Sequence, residues 1–441
     1  MLDAWITAAV TSREEPGLSI GIIYDQDLIW AKGYGFANLE KRVPATPTTL
    51  YRIASISKVF TATAIMQLRD AGKLQLDDPV SKHLSWFQVK EPRPDSPPIT
   101  IWHLLTHTSG LARELPLSYW NDLKFPSREE MMRLVPEEPA VFTPETEYKY
   151  SNLALAIAGE VVSAISGEPY EQYIRKHILK PLGMASTLVV PDRAAAGLAV
   201  GYRKRVPGQP REAEDFIDAR ALTPSAGLAS SVDDLAKLVS LQFRDGPAAG
   251  SQILRGSTLR EMQRVQWLRP DWQSGQGLGF GVRHAGQQVR VGKDGAAPGY
   301  KSLIEWVPAE KFGVIVLING YDAEPTYYVN QALSIIGPAI AKATARPKPA
   351  PVADPAWSKY TGTYTWKHVD AEILVVNGEL TMIMPEAPNP WESRVRLTPV
   401  GAHTFKMTGG GNDGELLRFD VDETGTATKF TAGSYYRVRK H

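Results

Sequence analysis

Apolar and polar positions change period several times along the chain, and each change marks a structural element. Residues 3–13 carry apolar positions at helical spacing and predict a short amphipathic helix. "GLSIGIIYDQDLIWAKGYG" follows as two runs of strand-forming residues joined by "YDQD", which reads as a β-hairpin. "SKVFTATAIMQLRDAGKL" returns to helical spacing, apolar on one side and stopped at Gly72. From about 77 to 235 the pattern is mostly helical, broken by Pro-rich loops such as "KEPRPDSPP" at 90–98. In "SSVDDLAKLVSLQF", Ser231 stands as N-cap with Asp234 three residues on, a start similar to a capping box. Strand signals resume at "LGFGVRH", "QQVRVGKDG", "KSLIEWVP" and "FGVIVLING", and a last helix is expected over about 326–344. The run "GVIVLI" after Phe312 is far too short to cross a bilayer and reads as a buried strand.

At "ARPKPAPVADP", residues 345–355, the composition shifts to Pro and Ala. Beyond it almost every segment is strand-like, and "VNGE" and "DETGTA" read as hairpin turns. The chain is therefore expected to hold one large domain over 1–345, a Pro/Ala linker over 346–355 and a small antiparallel β-domain over 356–441. That last domain is read as a lipocalin-like barrel. No repeat of solenoid period occurs.

Composition narrows the chemistry more than the fold. None of the 441 residues is cysteine, which removes disulfides, thiolate catalysis and cysteine–zinc sites. The 49 basic and 48 acidic side chains leave a formal charge of +1, so electrostatics gives no reason to expect nucleic acid or an anionic membrane as partner. The basic "YRKR" at 202–205, close to Gly and Pro, is read as a solvated loop. The first residues lack a basic lead and a long apolar run, so no signal peptide is seen. The expected compartment is the cytoplasm, or the periplasm or exterior if a signal has been trimmed away.

Two serines compete for the role of nucleophile. Ser19 lies in "GLSIG", a match to the G-x-S-x-G elbow. That elbow needs a strand, a sharp turn at the serine and then a helix. Here Pro16 and Gly17 precede the serine and "IGIIYDQ" continues as strand, so Ser19 is read as a mid-strand residue. Ser55, in "RIASISKVF", stands three residues before Lys58 where a long helix begins, so the two side chains can share a face. Backbone N–H groups at a helix start help to hold an oxyanion. Lys58 accepts a serine proton only when neutral, and burial and a neighbouring cation both lower its pKa in that direction. S-x-x-K occurs once in the chain.

Its companions make that motif specific. "YRIASISKVFTATAIMQL", "GKLQLDDPVSKHL", "ITIWHLLTHTSGL", "FTPETEYKYSNLALAIAGEVV", "LTPSAGLASSVDDLAKL" and "VGKDGAAPGYKS" follow one another in this order. Together they resemble the serine β-lactamase and penicillin-binding-protein superfamily over about residues 10–340. The resemblance is greatest to the class C β-lactamase-related branch, which includes family VIII carboxylesterases and D-aminopeptidases. It implies an α/β fold of the β-lactamase type, an antiparallel sheet with flanking helices and a mainly helical subdomain, ahead of the all-β domain. It implies Ser55, Lys58 and Tyr150 as catalytic residues. The family's Y-x-N motif has three matches, at Tyr119–Asn121, Tyr150–Asn152 and Tyr328–Asn330. Only Tyr150 precedes an apolar helix in the expected place. By resemblance its phenol shares a proton network with Lys58, and Asn152 donates to the substrate. The K-[TS]-G motif has two K-x-G candidates. Lys311 opens a plain apolar strand, whereas Lys293-Asp294-Gly295 is followed by "AAPGY". The resemblance gives Lys293 a positive field over Lys58, Tyr150 and a substrate carboxylate, and gives Gly295 close approach of substrate backbone. The N–H groups of Ser55 and Ala296 would form the oxyanion hole.

Asp294 departs from the pattern. It stands where true β-lactamases carry a hydroxyl residue, and an ionised Asp repels an antibiotic's carboxylate. The implied function is a serine hydrolase working through an acyl-enzyme on esters or amides, first a family VIII-type carboxylesterase with weak β-lactam hydrolysis. A D-stereospecific aminopeptidase or carboxypeptidase and a true class C-like β-lactamase stay open, as does a non-catalytic binder of penicillin or cell-wall peptide. No cofactor, metal, nucleic acid or membrane span is expected. The expected partner is a small ester, amide or β-lactam, and homo-oligomers through the β-domain stay open. Three features are set aside. His103 and His107 in "HLLTH" have metal-ligand spacing but lack the glutamate of H-E-x-x-H, and are read as structural. "GQGLGFG" at 275–281 leads into a strand, not a helix, and "GGGND" at 409–413 is read as a hairpin loop.

Overall fold

The expected first hairpin forms, with β1 (Gly17–Tyr24) turning at Asp25 and Gln26 into β2 (Asp27–Asn38). The computed structural model describes residues 1–90, 92–246, 252–344 and 354–440. The chain divides into two compact units, Met1–Ala343 and Thr344–His441. The linker expected over 346–355 lies outside the described residues up to 353.

In the first unit the strands continue with β3 (Val43–Pro44), β4 (Tyr51–Arg52), β5 (Ala229–Ser230), β6 (Trp267–Leu268), β7 (Ser274–Gln276), β8 (Gly281–Ala285), β9 (Gln288–Ala297), β10 (Tyr300–Val307) and β11 (Phe312–Ile318). β4 and β5 pair with each other. The other nine form one sheet in the order β3-β2-β1-β11-β10-β9-β8-β7-β6, antiparallel throughout. The N-terminal hairpin thus pairs with the last strand of the unit, Leu18 opposite Ile318.

Helices cover both faces of this sheet. Ile20, Ile22, Val314 and Val316 join one core with the helices Leu2–Ser12 and Pro325–Thr344. Ile304, Trp306, Ile315 and Leu317 join the larger core, with the helices Ser57–Asp70, Asn152–Ser166 and Val232–Leu241. A strand buried on both faces has no polar side to show, which is why "GVIVLI" reads as an unbroken apolar run. Ser231 caps Val232–Leu241 as expected, its hydroxyl accepting from the N–H of Asp234.

One expectation needs correction. The helix Ser57–Asp70 is not apolar on one side and wet on the other. Every residue from Ser57 to Met66 is buried, Lys58, Thr61 and Thr63 included. Ser57, Lys58 and Thr61 bond other polar groups inside the protein, and the Thr63 hydroxyl is buried with no hydrogen-bond partner among the described residues. The helix ends where expected, with Gly72 in the left-handed conformation that a helix end favours (φ 71°).

The second unit is a closed barrel of eight strands, in sequence order and antiparallel. They are β12 (Gly362–Trp366), β13 (Val369–Val376), β14 (Glu379–Ile383), β15 (Val395–Gly401), β16 (Thr404–Thr408), β17 (Leu416–Val421), β18 (Ala427–Ala432) and β19 (Tyr435–Arg439). β19 closes on β12. Tyr364, Ile373, Leu397, Phe405, Phe419 and Phe430 fill the interior, the scale of filling that eight strands allow. The "VNGE" turn is the tight two-residue kind, with both Asn377 (φ 49°) and Gly378 (φ 78°) left-handed.

Candidate active site

Ser55 stands on a sharp bend. β4 ends at Arg52, the turn Ala54–Ile56 follows, and the helix Ser57–Asp70 starts at once. Ala54, buried and not glycine, is forced into the left-handed region (φ 46°). The strand–turn–helix arrangement that Ser19 lacks is therefore built around Ser55. The bend is held from behind by β9. A Cβ on Gly295 would lie 2.2 Å from the carbonyl oxygen of Ile53, so only glycine lets the strand press this close. The Ser302 hydroxyl donates to the same carbonyl at 3.1 Å. The missing side chain of Gly295 serves this internal approach, whereas the sequence reading assigned it to substrate.

Ser55, Lys58 and Tyr150 meet in one hydrogen-bond network. Ser55 Oγ lies 2.8 Å from the Tyr150 hydroxyl. Lys58 Nζ donates to Ser55 Oγ at 3.1 Å, to Asn152 Oδ1 at 2.7 Å and to the Ser225 carbonyl at 2.8 Å. Asn152 opens the helix Asn152–Ser166, whose N-cap Ser151 accepts from the Ala154 N–H and donates to the Ala112 carbonyl. That cap fixes where Tyr150 and Asn152 point. The Asn152 amide oxygen accepts from Lys58 and its nitrogen donates one N–H to Glu114, which leaves the second N–H of the amide for another acceptor.

Burial lowers the Lys58 pKa from its ordinary value, Lys293 adds to the effect, and Tyr150 opposes it. For Tyr150, burial alone would raise the phenol. The positive charges of Lys58 and Lys293 outweigh it and bring the pKa down to about 8. Lys293 is itself buried, which would lower it, but Tyr150 and Asp294 win and hold it above its ordinary value. The site thus sets a buried fixed cation, Lys293, beside a Lys58–Tyr150 pair that gives up a proton more easily than a free lysine or phenol. Removing the fixed cation with Lys293→Met is expected to move the Tyr150 titration upward from about 8. The rate of covalent Ser55 labelling by a fluorophosphonate, followed against pH, should show its midpoint displaced to higher pH. An unmoved midpoint counts against the role of Lys293.

The network opens into a cleft of about 480 Å³ lined by Ser55, Tyr150, Lys293, Asp294 and Ala296, with Arg113, Tyr148 and Arg269 among the other walls. β8 pairs with β9 only as far as Gly281 opposite Gly292. From Lys293 to Ala297 the strand pairs on one side, with β10, and its other edge belongs to the cleft. Asp294 is exposed at that edge and pairs with Lys293 at 2.8 Å. The Lys293 charge holds its carboxyl below the ordinary range, so Asp294 is ionised.

The remaining candidates separate cleanly. Ser19 is buried in β1, donating to the Thr46 carbonyl at 2.7 Å and bonded to the Tyr51 hydroxyl at 2.8 Å. Lys311 pairs with Asp25 beyond the far end of the hairpin. Tyr328 is buried beside Glu15, on the other face of the sheet. Tyr119 is instead joined to the network from outside, because its hydroxyl donates at 2.6 Å to the Glu114 that accepts from Asn152. His103 caps the helix Ile101–Thr106, its Nδ1 accepting from the Thr100 N–H.

His107 does more. Its carbonyl accepts from the Lys149 N–H at 2.8 Å, its Nδ1 accepts from the Ser151 N–H at 3.2 Å, and its ring lies 4.5 Å from that of Tyr150. It clamps the segment that carries Tyr150. The clamp needs a neutral ring with a free Nδ1 lone pair. Burial, and then Lys58 and Lys293, push its pKa well below the ordinary value and keep it so. His107→Phe keeps the ring and loses the acceptor. It is expected to lower kcat about tenfold, with KM little changed, and to cost about 1–3 kcal/mol for the unpaired buried N–H. His107→Gln, which restores an acceptor, should recover part of both. Equal losses in the two variants would show that acceptance is not the point.

The fold, with this network at the lip of its sheet, is that of the serine β-lactamase and penicillin-binding-protein superfamily. The chain belongs to the Beta-lactamase family, whose family model matches residues 2–333. Protein flp of Staphylococcus aureus (strain MW2) is 28% identical over 312 residues, 69% of this chain and 59% of that protein. This chain therefore spans about three fifths of that relative. The octameric penicillin-binding protein homologue from Pyrococcus abyssi aligns over 100% of this chain and 99% of its own, with a TM-score of 0.67 and 27% identity. A class C β-lactamase covers 76% of this chain and 95% of its own at TM-score 0.65 and 21% identity, a likeness of fold.

Proposed function

We propose that this chain is a serine hydrolase that cleaves carboxylic esters or amides through an acyl-enzyme on Ser55, in first place a carboxylesterase. The observation that carries the reading is the contact of Ser55 Oγ with Tyr150 at 2.8 Å and Lys58 at 3.1 Å in a buried cationic setting. In this mechanism Tyr150 takes the Ser55 proton as Oγ attacks the carbonyl, and Lys58 supports the phenolate. The N–H groups of Ser55 and Ala296 hold the oxyanion. Tyr150 then protonates the leaving oxygen or nitrogen. Water attacks the acyl-enzyme and gives its proton to Tyr150, which passes it to the departing Ser55 Oγ as the acid product leaves.

Asp294 favours an ester over a β-lactam. Its ionised carboxylate offsets Lys293 at the lip and repels a carboxylate placed there. One observation favours a second reading, a D-peptidase or β-lactamase. Arg113 and Arg269 also line the cleft, where they could receive an anionic substrate end. A short-chain p-nitrophenyl ester, nitrocefin and a D-Ala-D-Ala peptide assayed side by side rank the readings. The expected result is ester turnover at least about tenfold above the other two in kcat/KM. Peptide or nitrocefin in first place would reassign the substrate. No turnover and no labelling by fluorophosphonate or penicillin probes would leave a binding protein.

A further inference from the structure

Three residues before Ser55, Arg52 ends β4 inside the protein, only 5% exposed. A guanidinium cannot shed its charge, so burial calls for acceptors or a counter-ion. Arg52 has few. Nη1 donates to the Ile217 carbonyl. Its carbon centre lies 5.2 Å from the centroid of the Phe216 ring. Nε is enclosed and has no acceptor among the described residues. No ion pair among the described residues includes it, and Asp218 acts on it only at longer range.

Beside Arg52 lies a cavity of about 130 Å³, also lined by Phe216, Tyr300, Ala226 and Ala297. Arg193 adds a second cation to its wall, whereas the acidic and hydroxyl groups there are already engaged. Glu214 and Asp215 are both paired with Arg203, at 3.3 and 3.5 Å. The Tyr300 hydroxyl donates to the Ala199 carbonyl at 2.6 Å. The space is far below the volume of a drug-sized pocket and suits a group of a few heavy atoms. It is also close to the chemistry. Ala297 follows Ala296 of the cleft, and Ala226 follows Ser225, whose carbonyl holds Lys58.

We propose that this cavity is a subsite for a small carboxylate, with Arg52 as its charge partner. The carboxylate can come from the far end of a substrate or from a free small acid. Binding itself does not depend on the hydrolase reading of Ser55, and only the substrate source does.

The test begins with the unaltered protein at fixed pH and ionic strength. Thermal unfolding with acetate or succinate should show a saturable rise in Tm that acetamide does not give and that Arg52→Met abolishes. If that variant fails to fold, Ala199→Leu, which narrows the same cavity and keeps Arg52, should weaken the effect. The source is separated by two esters. If the substrate supplies the carboxylate, the p-nitrophenyl hemiester of succinate has a kcat/KM at least tenfold above that of p-nitrophenyl butyrate, and Arg52→Met removes the advantage. If a free acid supplies it, the two esters are equal and only the Tm effect is seen. Equal Tm in acetate and acetamide, together with equal esters, overturns the proposal. Absence of all ester hydrolysis with the Tm effect intact overturns the reading of Ser55 and leaves the subsite standing.

Discussion

Ser55→Ala is expected to lose turnover of a short-chain p-nitrophenyl ester by on the order of 10⁴-fold or more, and to lose fluorophosphonate labelling altogether. The loss should not come from unfolding. Ser55 is half-buried at the cleft and sits on a bend fixed by Gly295 and Ser302 through the Ile53 carbonyl, contacts that the hydroxyl does not make. Lys58 keeps Asn152 and the Ser225 carbonyl as acceptors when Oγ is gone. The melting temperature should therefore stay close to that of the parent. Ser19→Ala is the control in the other direction. Ser19 bonds the Thr46 carbonyl and Tyr51, so its loss should cost about 1 kcal/mol of stability and leave labelling intact. Labelling that survives in Ser55→Ala and disappears in Ser19→Ala would return the nucleophile to "GLSIG".

The candidate site was legible where its members are close in sequence or fall on motifs that the resemblance supplies, as Tyr150 does 95 residues from Ser55, and illegible where the fold alone joins them. Ser55 and Lys58 are one helical turn apart, so their spacing carries geometry by itself. The barrel was equally open to reading, because its hairpins are local and "VNGE" demands left-handed residues that only such a turn uses. Glu114 had no such mark. It reaches Asn152 across 38 residues, and nothing in "LARELPL" separates it from a surface acid. The Ser225 carbonyl accepts from Lys58 across 167 residues and involves no side chain that a motif could record. His107 was read as structural, but nothing in its spacing from His103 showed how, since its work is done by a backbone carbonyl and one ring nitrogen. The helix Ser57–Asp70 misled through the same limit. Its threonines look solvent-facing by period, but Thr61 bonds Tyr170 and the Pro224 carbonyl inside the protein.

Lys58→Met is expected to lower ester turnover by about 10²–10⁴-fold, the range for a lost proton-transfer partner. Its stability should reveal the shared proton independently of any substrate. In the folded parent, Lys58 has a lowered pKa and Tyr150 titrates near 8 instead of 10. Between about 8 and 10 the unfolded chain therefore binds more protons at these groups than the folded chain does, and folding gains stability as pH rises. For Tyr150 the contribution is fully present above pH 10 and is lost as pH falls through about 8. A displacement of two units corresponds to about 2–3 kcal/mol across that window. In Lys58→Met no ammonium remains to discharge, and the nearest cation lowering the Tyr150 phenol is gone. The folded phenol then moves back up and the gain disappears. The other buried tyrosines, such as Tyr51 and Tyr170, are common to both proteins and cancel in the difference. Denaturant unfolding at pH 7 and pH 9.5 should therefore find the parent gaining on the variant as pH rises. Parallel behaviour at the two pH values would mean that Lys58 and Tyr150 titrate as independent groups, and the proton transfer assigned to them would lose its physical basis.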